Sequence, residues 1–185
     1  SSLTSIDILS KVALSKVGED ISGYLQKIKD TTTQSMESMS DMVWAINPRN
    51  DKLETMVSRM KEFAASMCEV KGIQLEFFLP SQLETVSLDI NIRRNLFLVF
   101  KEAVSNAVKY SMATRLIVRI EVENNLLQME IQDNGNGFDI MGLRSGNGLT
   151  NMEERARSCG GQLLIETGIG KGTRISFQVP SPKLG

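Results

Sequence analysis

The apolar residues change their period once along this chain, near residue 72, and that change limits what it can fold into. Before it, Ile21, Leu25, Ile28, Thr32, Met36, Met39, Val43 and Ile46 recur at steps of mainly three and four. This is the spacing of a bundle or coiled-coil helix. Leu3, Ile6, Leu9, Ala13 and Val17 form a shorter seam upstream. Between the two lies Gly18-Glu19-Asp20-Ile21-Ser22-Gly23, rich in turn residues and poor helix formers. The pattern predicts an antiparallel helical hairpin that turns near Gly18. Its second arm ends at Asn47-Pro48, because the residue before proline disfavours the helical region. At 1.5 Å per residue the second arm spans roughly 39 Å and the first roughly 26 Å. That inequality fits a hairpin shortened at its N-terminus, or a first arm that is naturally short. A third helix is expected over roughly 52–70, with Leu53, Val57, Met60, Ala64 and Met67 on one face and Gly72 as its stop. The Met-rich faces read as core or dimer packing rather than a cofactor site.

From Ile73 the alternation becomes that of strands. Ile73-Gln74-Leu75-Glu76-Phe77 ends at Pro80, and a helix is expected over about 91–110. Leu116, Val118, Ile120 and Val122 alternate with Ile117, Arg119 and Glu121. Asn124-Asn125 supplies a two-residue turn, where Asn tolerates positive φ, and Leu127, Met129 and Ile131 continue on the return strand. A helix over about 149–159 and a strand pair at 162–166 and 173–179 follow. One polar face per strand implies a sheet covered on one side by helices. The expected fold class is α+β: a helical hairpin over 1–50, then an α/β sandwich with an antiparallel-rich sheet over 51–185, including its leading helix at 52–71. The boundary falls around Pro48 to Asp51, or near Gly72 if the third helix goes with the hairpin.

Composition excludes several chemistries. The 185 residues contain no histidine, so imidazole is unavailable as base, proton shuttle, metal ligand or internal phosphate acceptor. Two cysteines, Cys68 and Cys159, hold neither a four-thiolate zinc nor a disulfide framework. They read as reduced thiols of a cytosolic protein. A formal net charge of −1 argues against a dedicated nucleic-acid binder. No apolar run approaches a membrane span and no signal peptide is visible, so no direct membrane contact is expected.

Four short stretches carry candidate chemistry. On the helix through Lys101 to Tyr110, residues Glu102, Asn106, Lys109 and Tyr110 share a narrow arc beside an apolar one. A carboxylate and a carboxamide oxygen suit a hard cation such as Mg²⁺, and an ammonium suits phosphate. A solvated Glu-Lys face would look the same. Asp133-Asn134-Gly135-Asn136-Gly137-Phe138 ends a strand with an acceptor and two glycines that admit close approach, although a tight turn explains it equally. Gly146-Asn147-Gly148-Leu149 opens a helix whose free amides suit phosphate. Gly168-Ile169-Gly170-Lys171-Gly172-Thr173 joins two strands, and as a hairpin turn it needs no function.

In this order, the four stretches resemble the N, G1, G2 and G3 boxes of the ATP-binding fold shared by histidine kinases, gyrase, MutL and a large heat-shock chaperone family. The resemblance covers about 73–180. Gly148-Leu149-Thr150-Asn151-Met152-Glu153-Glu154-Arg155-Ala156 is similar to the Gly-Leu-x-x-Met-x-x-Arg stretch of the nitrate-response and lipid-desaturase sensor kinases, whose lid is also short. Ser40-Asp41-Met42-Val43-Trp44-Ala45-Ile46-Asn47-Pro48 looks like the end of the second dimerisation helix in bacterial two-component sensors.

The resemblance implies roles by position. Asn106 would hold Mg²⁺, with Glu102 beside it, and Lys109 and Tyr110 would face the phosphates of ATP. Asp133 would accept from the adenine amine, with Gly135, Gly137 and Phe138 in its loop. Gly146, Gly148 and Leu149 would form lid and phosphate wall, and Thr173 would close the adenine side. The phosphoacceptor histidine of such sensors stands just before a stretch like Ser1-Ser2-Leu3-Thr4-Ser5-Ile6, so it is expected a few residues before Ser1. The implied protein is a cytoplasmic sensor histidine kinase core, or the cytoplasmic part of a membrane-bound sensor. It would dimerise through its hairpin, serve a response regulator and be unable to phosphorylate itself as this fragment. A serine kinase of the anti-sigma-factor type and a non-catalytic dimerisation scaffold are the competing readings.

Overall fold

The computed structural model describes residues 6, 8–12, 22–81, 83–139 and 147–180. Leu3, Ala13, Val17, the expected turn near Gly18, Ile21 and Gly146 lie outside them. The chain divides into two compact units, Ser1–Ile46 and Asn47–Gly185.

In the first unit, Ile6 and residues 8–12 are helical, and α1 spans Ser22–Ile46. Thr31, Thr32 and Ser35 return their hydroxyls to the carbonyls four residues back, so these weak helix formers leave no local donor open. The seam of α1 is largely open to solvent: Leu25, Met36, Met39, Val43 and Ile46 are each more than half exposed.

The second unit begins where that helix must stop. Asn47 is extended at φ −72 and ψ 119, Pro48 opens a 3₁₀ turn over Pro48–Asn50, and the Asn47 carboxamide accepts from Arg49 N at 3.1 Å. Helix α2, Leu53–Glu69, buries Leu53, Met56, Val57, Met60, Ala64 and Cys68, one face of a 3.6-residue repeat. Gly72, at φ +66, turns the chain into β1, Gln74–Phe78. Helix α3, Ile90–Tyr110, is capped by Asp89, whose carboxylate accepts from Asn91 N and Ile92 N. Strands β2, Arg115–Glu123, and β3, Leu126–Asp133, form a hairpin. Its Asn124 and Asn125 stand at φ 49 and 60, the geometry of a turn that matches strand twist. Helix α4, Asn147–Ser158, and strands β4, Gln162–Thr167, and β5, Thr173–Pro180, complete the unit.

The sheet runs β1-β2-β3-β5-β4. Three of its pairings are antiparallel, and β1 joins β2 in parallel because α3 carries the chain back across the sheet. One face meets α2, α3 and α4. There Phe100, fully buried, has Phe63, Phe77 and Phe97 around it at ring distances of 6.3, 6.5 and 6.4 Å. The opposite face is polar, with Glu130 between Arg119 at 2.9 Å and Arg174 at 3.6 Å. Helix α4 lies antiparallel on α3. Its Gly148 abuts Glu102, its Met152 and Ala156 are fully buried, and Asn91 Nδ2 donates to Ser158 O at 2.9 Å.

Candidate functional site

Helix α3, the end of β3, the start of α4 and β5 enclose a cavity of about 460 Å³. This is the size of a small-molecule site. Glu102, Ala103, Asn106, Ala107 and Tyr110 line it from one arc of α3, one or two turns apart. Asp133, Gly137 and Phe138 come from β3 and the loop after it, Gly148 and Leu149 from the first turn of α4, and Thr173 and Ile175 from β5. Nine of the twelve residues singled out in the sequence therefore line one cavity. Lys109 is exposed and outside the lining, Gly135 is buried beside it, and Gly146 is not among the described residues.

Asp133 is only 6% exposed. Burial raises its pKa, while the N–H groups of Gly135 and Thr173 work against that rise. The Gly135 N–H donates to Asp133 Oδ1 at 2.8 Å. The deep end of the cavity thus holds an acidic acceptor. Toward the mouth, where Tyr110 is 74% exposed, Asn106 Nδ2 donates to Glu102 Oε1 at 3.3 Å. A Cβ on Gly148 would meet Glu102 Oε1, so glycine here lets the first turn of α4 sit against the Glu102 carboxylate without displacing it. The result is a helix N-terminus, a carboxylate and a carboxamide at one end, and a buried acceptor at the other. The carboxylate and carboxamide oxygens, one helical turn apart, are a donor set that fits Mg²⁺. The α4 N-terminus fits a phosphate.

The loop glycines have a reason the sequence did not show. A Cβ on Gly135 would enter the carbonyl of Ser111, and one on Gly137 would enter the carbonyls of Gly168 and Gly172. Their smallness serves packing of loop on loop. Gly170 N donates to Asn136 O at 2.6 Å and Phe138 N to Thr167 Oγ1 at 3.1 Å, so the loop after β3 is held by the β4–β5 turn. Gly137 is also at φ +58. Gly137→Ala is expected to destabilise the second unit by about 2–4 kcal/mol, from left-handed strain plus backbone overlap. Urea denaturation checks this, and a midpoint equal to wild type would mean that the turn moves aside freely.

Ser111 was not anticipated. It lines the cavity, donates to Ala107 O at 2.6 Å, accepts from Ala113 N, and through its carbonyl accepts from Asn136 N at 2.7 Å. Its one sequence signal is its place directly after the last turn of α3.

Residues 91–183 match the family described as histidine kinase-, DNA gyrase B-, and HSP90-like ATPases, and the chain belongs to that family. An uncharacterized sensor-like histidine kinase of Chloroflexus aurantiacus is 36% identical over 107 residues, covering 54% of this chain and 18% of that protein. The sensor histidine kinase ComP of Bacillus subtilis is 27% identical over 168 residues, covering 83% of this chain and 21% of that protein. The chain thus spans about a fifth of the length of these relatives. The solved Acinetobacter baumannii histidine kinase AdeS aligns with a TM-score of 0.66 at 16% identity, over 99% of this chain and 96% of that one. At that identity the likeness speaks for the fold, an α+β ATP-binding fold.

Proposed function

We propose that this chain is the ATP-binding catalytic core of a sensor histidine kinase in a two-component relay, of the nitrate-response and desaturase sensor subclass. The observation that carries the reading is the two-ended cavity: a buried acceptor, Asp133, at one end and the α4 N-terminus beside Glu102 and Asn106 at the other. Asp133 would accept from the adenine amine. Thr173 and Phe138 would flank the base, with Gly135 and Gly137 shaping the loop. The amides at Gly148 and Leu149, with Gly146 before them, would receive the phosphates. Lys109 and Tyr110 would act at the open side. Asn106 and Glu102 would hold Mg²⁺, which supplies charge neutralisation for phosphoryl transfer, a reaction that needs mainly positioning and electrostatics.

The chain has no histidine, so the transferred phosphoryl group goes to an imidazole that lies outside these 185 residues. The open seam of α1 supports a homodimer through the helical hairpin, with a four-helix bundle as the assembly. A response regulator would be the downstream partner. Among the described residues no helix is long and apolar enough to cross a membrane. A cytoplasmic placement is part of the same proposal, as is the division into a dimerisation hairpin over 1–50 and a catalytic domain over 51–185.

Calorimetry of the chain with ATP, in Mg²⁺ and in a chelator, tests the reading. Binding is expected in both, tighter with Mg²⁺, and Asn106→Ala is expected to abolish the Mg²⁺ increment, a loss of about tenfold or more. Incubation with γ-labelled ATP should leave no acid-labile phosphate on the chain. No heat of binding, or such a label, would refute it.

A further inference from the structure

Asp133, Thr173 and Thr167 form one row across three neighbouring strands: Asp133 pairs with Thr173, and Thr173 with Thr167. The first two line the cavity, and Thr167 stands one strand behind them. Its hydroxyl oxygen has three close partners: Phe138 N at 3.1 Å, Gly172 O at 3.1 Å and Thr173 Oγ1 at 3.2 Å. A hydroxyl has one proton and two lone pairs. The Phe138 N–H only donates and the Gly172 carbonyl only accepts. The Thr167 proton therefore goes to Gly172 O, and one lone pair receives the Phe138 N–H. The remaining contact has to be a donation from the Thr173 hydroxyl to the second lone pair of Thr167. With its proton committed there, Thr173 turns only lone pairs toward the cavity, as does the Asp133 carboxylate.

We infer that Thr167 is a positioning residue for base selection: by binding the Thr173 proton it makes the deep end of the cavity an all-acceptor surface. Such a surface takes a base edge bearing an amine. It opposes a carbonyl set at the place of that amine, because acceptor then faces acceptor at that position. The inference rests on the nucleotide reading above and adds a selectivity device outside the cavity wall.

The test uses ATP and ITP, whose base has a carbonyl where ATP has the amine, with dissociation constants read by calorimetry. Wild type should prefer ATP by on the order of 100-fold or more. Thr167→Val keeps the shape and deletes the hydroxyl, which frees the Thr173 proton to meet a carbonyl, so the ATP/ITP ratio should narrow about tenfold. Thr167→Ala, which adds no volume, should narrow it likewise, and Thr167→Ser should restore it. In a Thr173→Val background, Thr167→Val should leave the ratio unchanged, since the group it acts through is gone. A ratio blind to Thr167, or one shifted equally in both backgrounds, overturns this inference while the nucleotide reading stands. A wild type that binds neither nucleotide removes both.

Discussion

Asp133→Asn is expected to weaken ATP binding by about 100-fold or more while leaving the fold as stable as before, or more so, at neutral pH. The carboxylate has two acceptor oxygens. One receives the Gly135 N–H at 2.8 Å, and the Thr173 N–H also points to the group. A carboxamide has only one oxygen and adds two donors. With that oxygen kept on the backbone donors, the N–H₂ faces the base, and an amine that needs an acceptor is rejected.

The stability half of the prediction follows from linkage. Burial holds the Asp133 pKa above its ordinary value. Between the unfolded and folded pKa values the native chain binds more protons than the unfolded one. The contribution of Asp133 to stability is therefore present below the unfolded pKa and is lost as pH rises through the folded pKa. Asparagine carries no such charge. Thermal melts should show the variant gaining on wild type as pH rises from about 4 toward 7. ATP affinity of wild type should fall on acidification, as Asp133 protonates, at a higher pH than an ordinary carboxylate would cause. A variant that binds ATP like wild type would remove Asp133 from the base end. One that loses binding only because its melting temperature collapses would make the residue structural.

The second large effect is expected at Phe100. Its ring is fully buried and sits among Phe63, Phe77 and Phe97, where α2, β1 and α3 meet. Phe100→Ala removes the central ring of this group, and the neighbours are held by three different elements that do not collapse together. The expected cost is about 3–5 kcal/mol, a drop in melting temperature on the order of 10 °C. Because Ala103 and Asn106 follow within two turns of the same helix, nucleotide affinity should fall as well. Phe100→Leu, which restores most of the volume, should recover much of both. A loss under about 1 kcal/mol in chemical denaturation would mean that this aromatic cluster is not the centre of the core.

The elements that were legible are those whose signal is local. The three-and-four spacing of α1, the Asn47-Pro48 stop, the Asn124-Asn125 turn and the Gly72 stop each follow from a few residues acting on their own backbone. The arc Glu102, Asn106, Tyr110 was legible for the same reason: helical geometry places those residues together whatever surrounds them. Lys109 shows the limit of that argument. It shares the arc by angle, yet it is exposed and outside the lining, because the walls opposite α3 decide which edge of the arc is enclosed.

What could not be read locally were the contacts between segments distant in sequence. Gly135 and Gly137 read equally as room for a ligand or as a tight turn, and the place a Cβ would take at each is filled by the Ser111 carbonyl and by the carbonyls of Gly168 and Gly172. Gly168 to Thr173 read as a hairpin turn, and it also clamps the loop after β3 through Gly170 and Thr167. Neither Ser111 nor Thr167 bears a motif: each makes short-range bonds that any turn could hold, and what ties it to the site is a single partner more than 20 residues away, Asn136 for Ser111 and Phe138 for Thr167.

The amino-acid order alone thus determined the helical first part, the alternating second part and the four stretches whose order marks an ATP-binding fold, since periodicity, proline and paired asparagines act within a few residues. Only the tertiary structure decided that these stretches close one cavity, which of their glycines serve packing, and how the hydroxyl protons behind Asp133 are shared. Those depend on strands β3, β5 and β4 lying side by side, and adjacency across a sheet is a long-range pairing that no local pattern records.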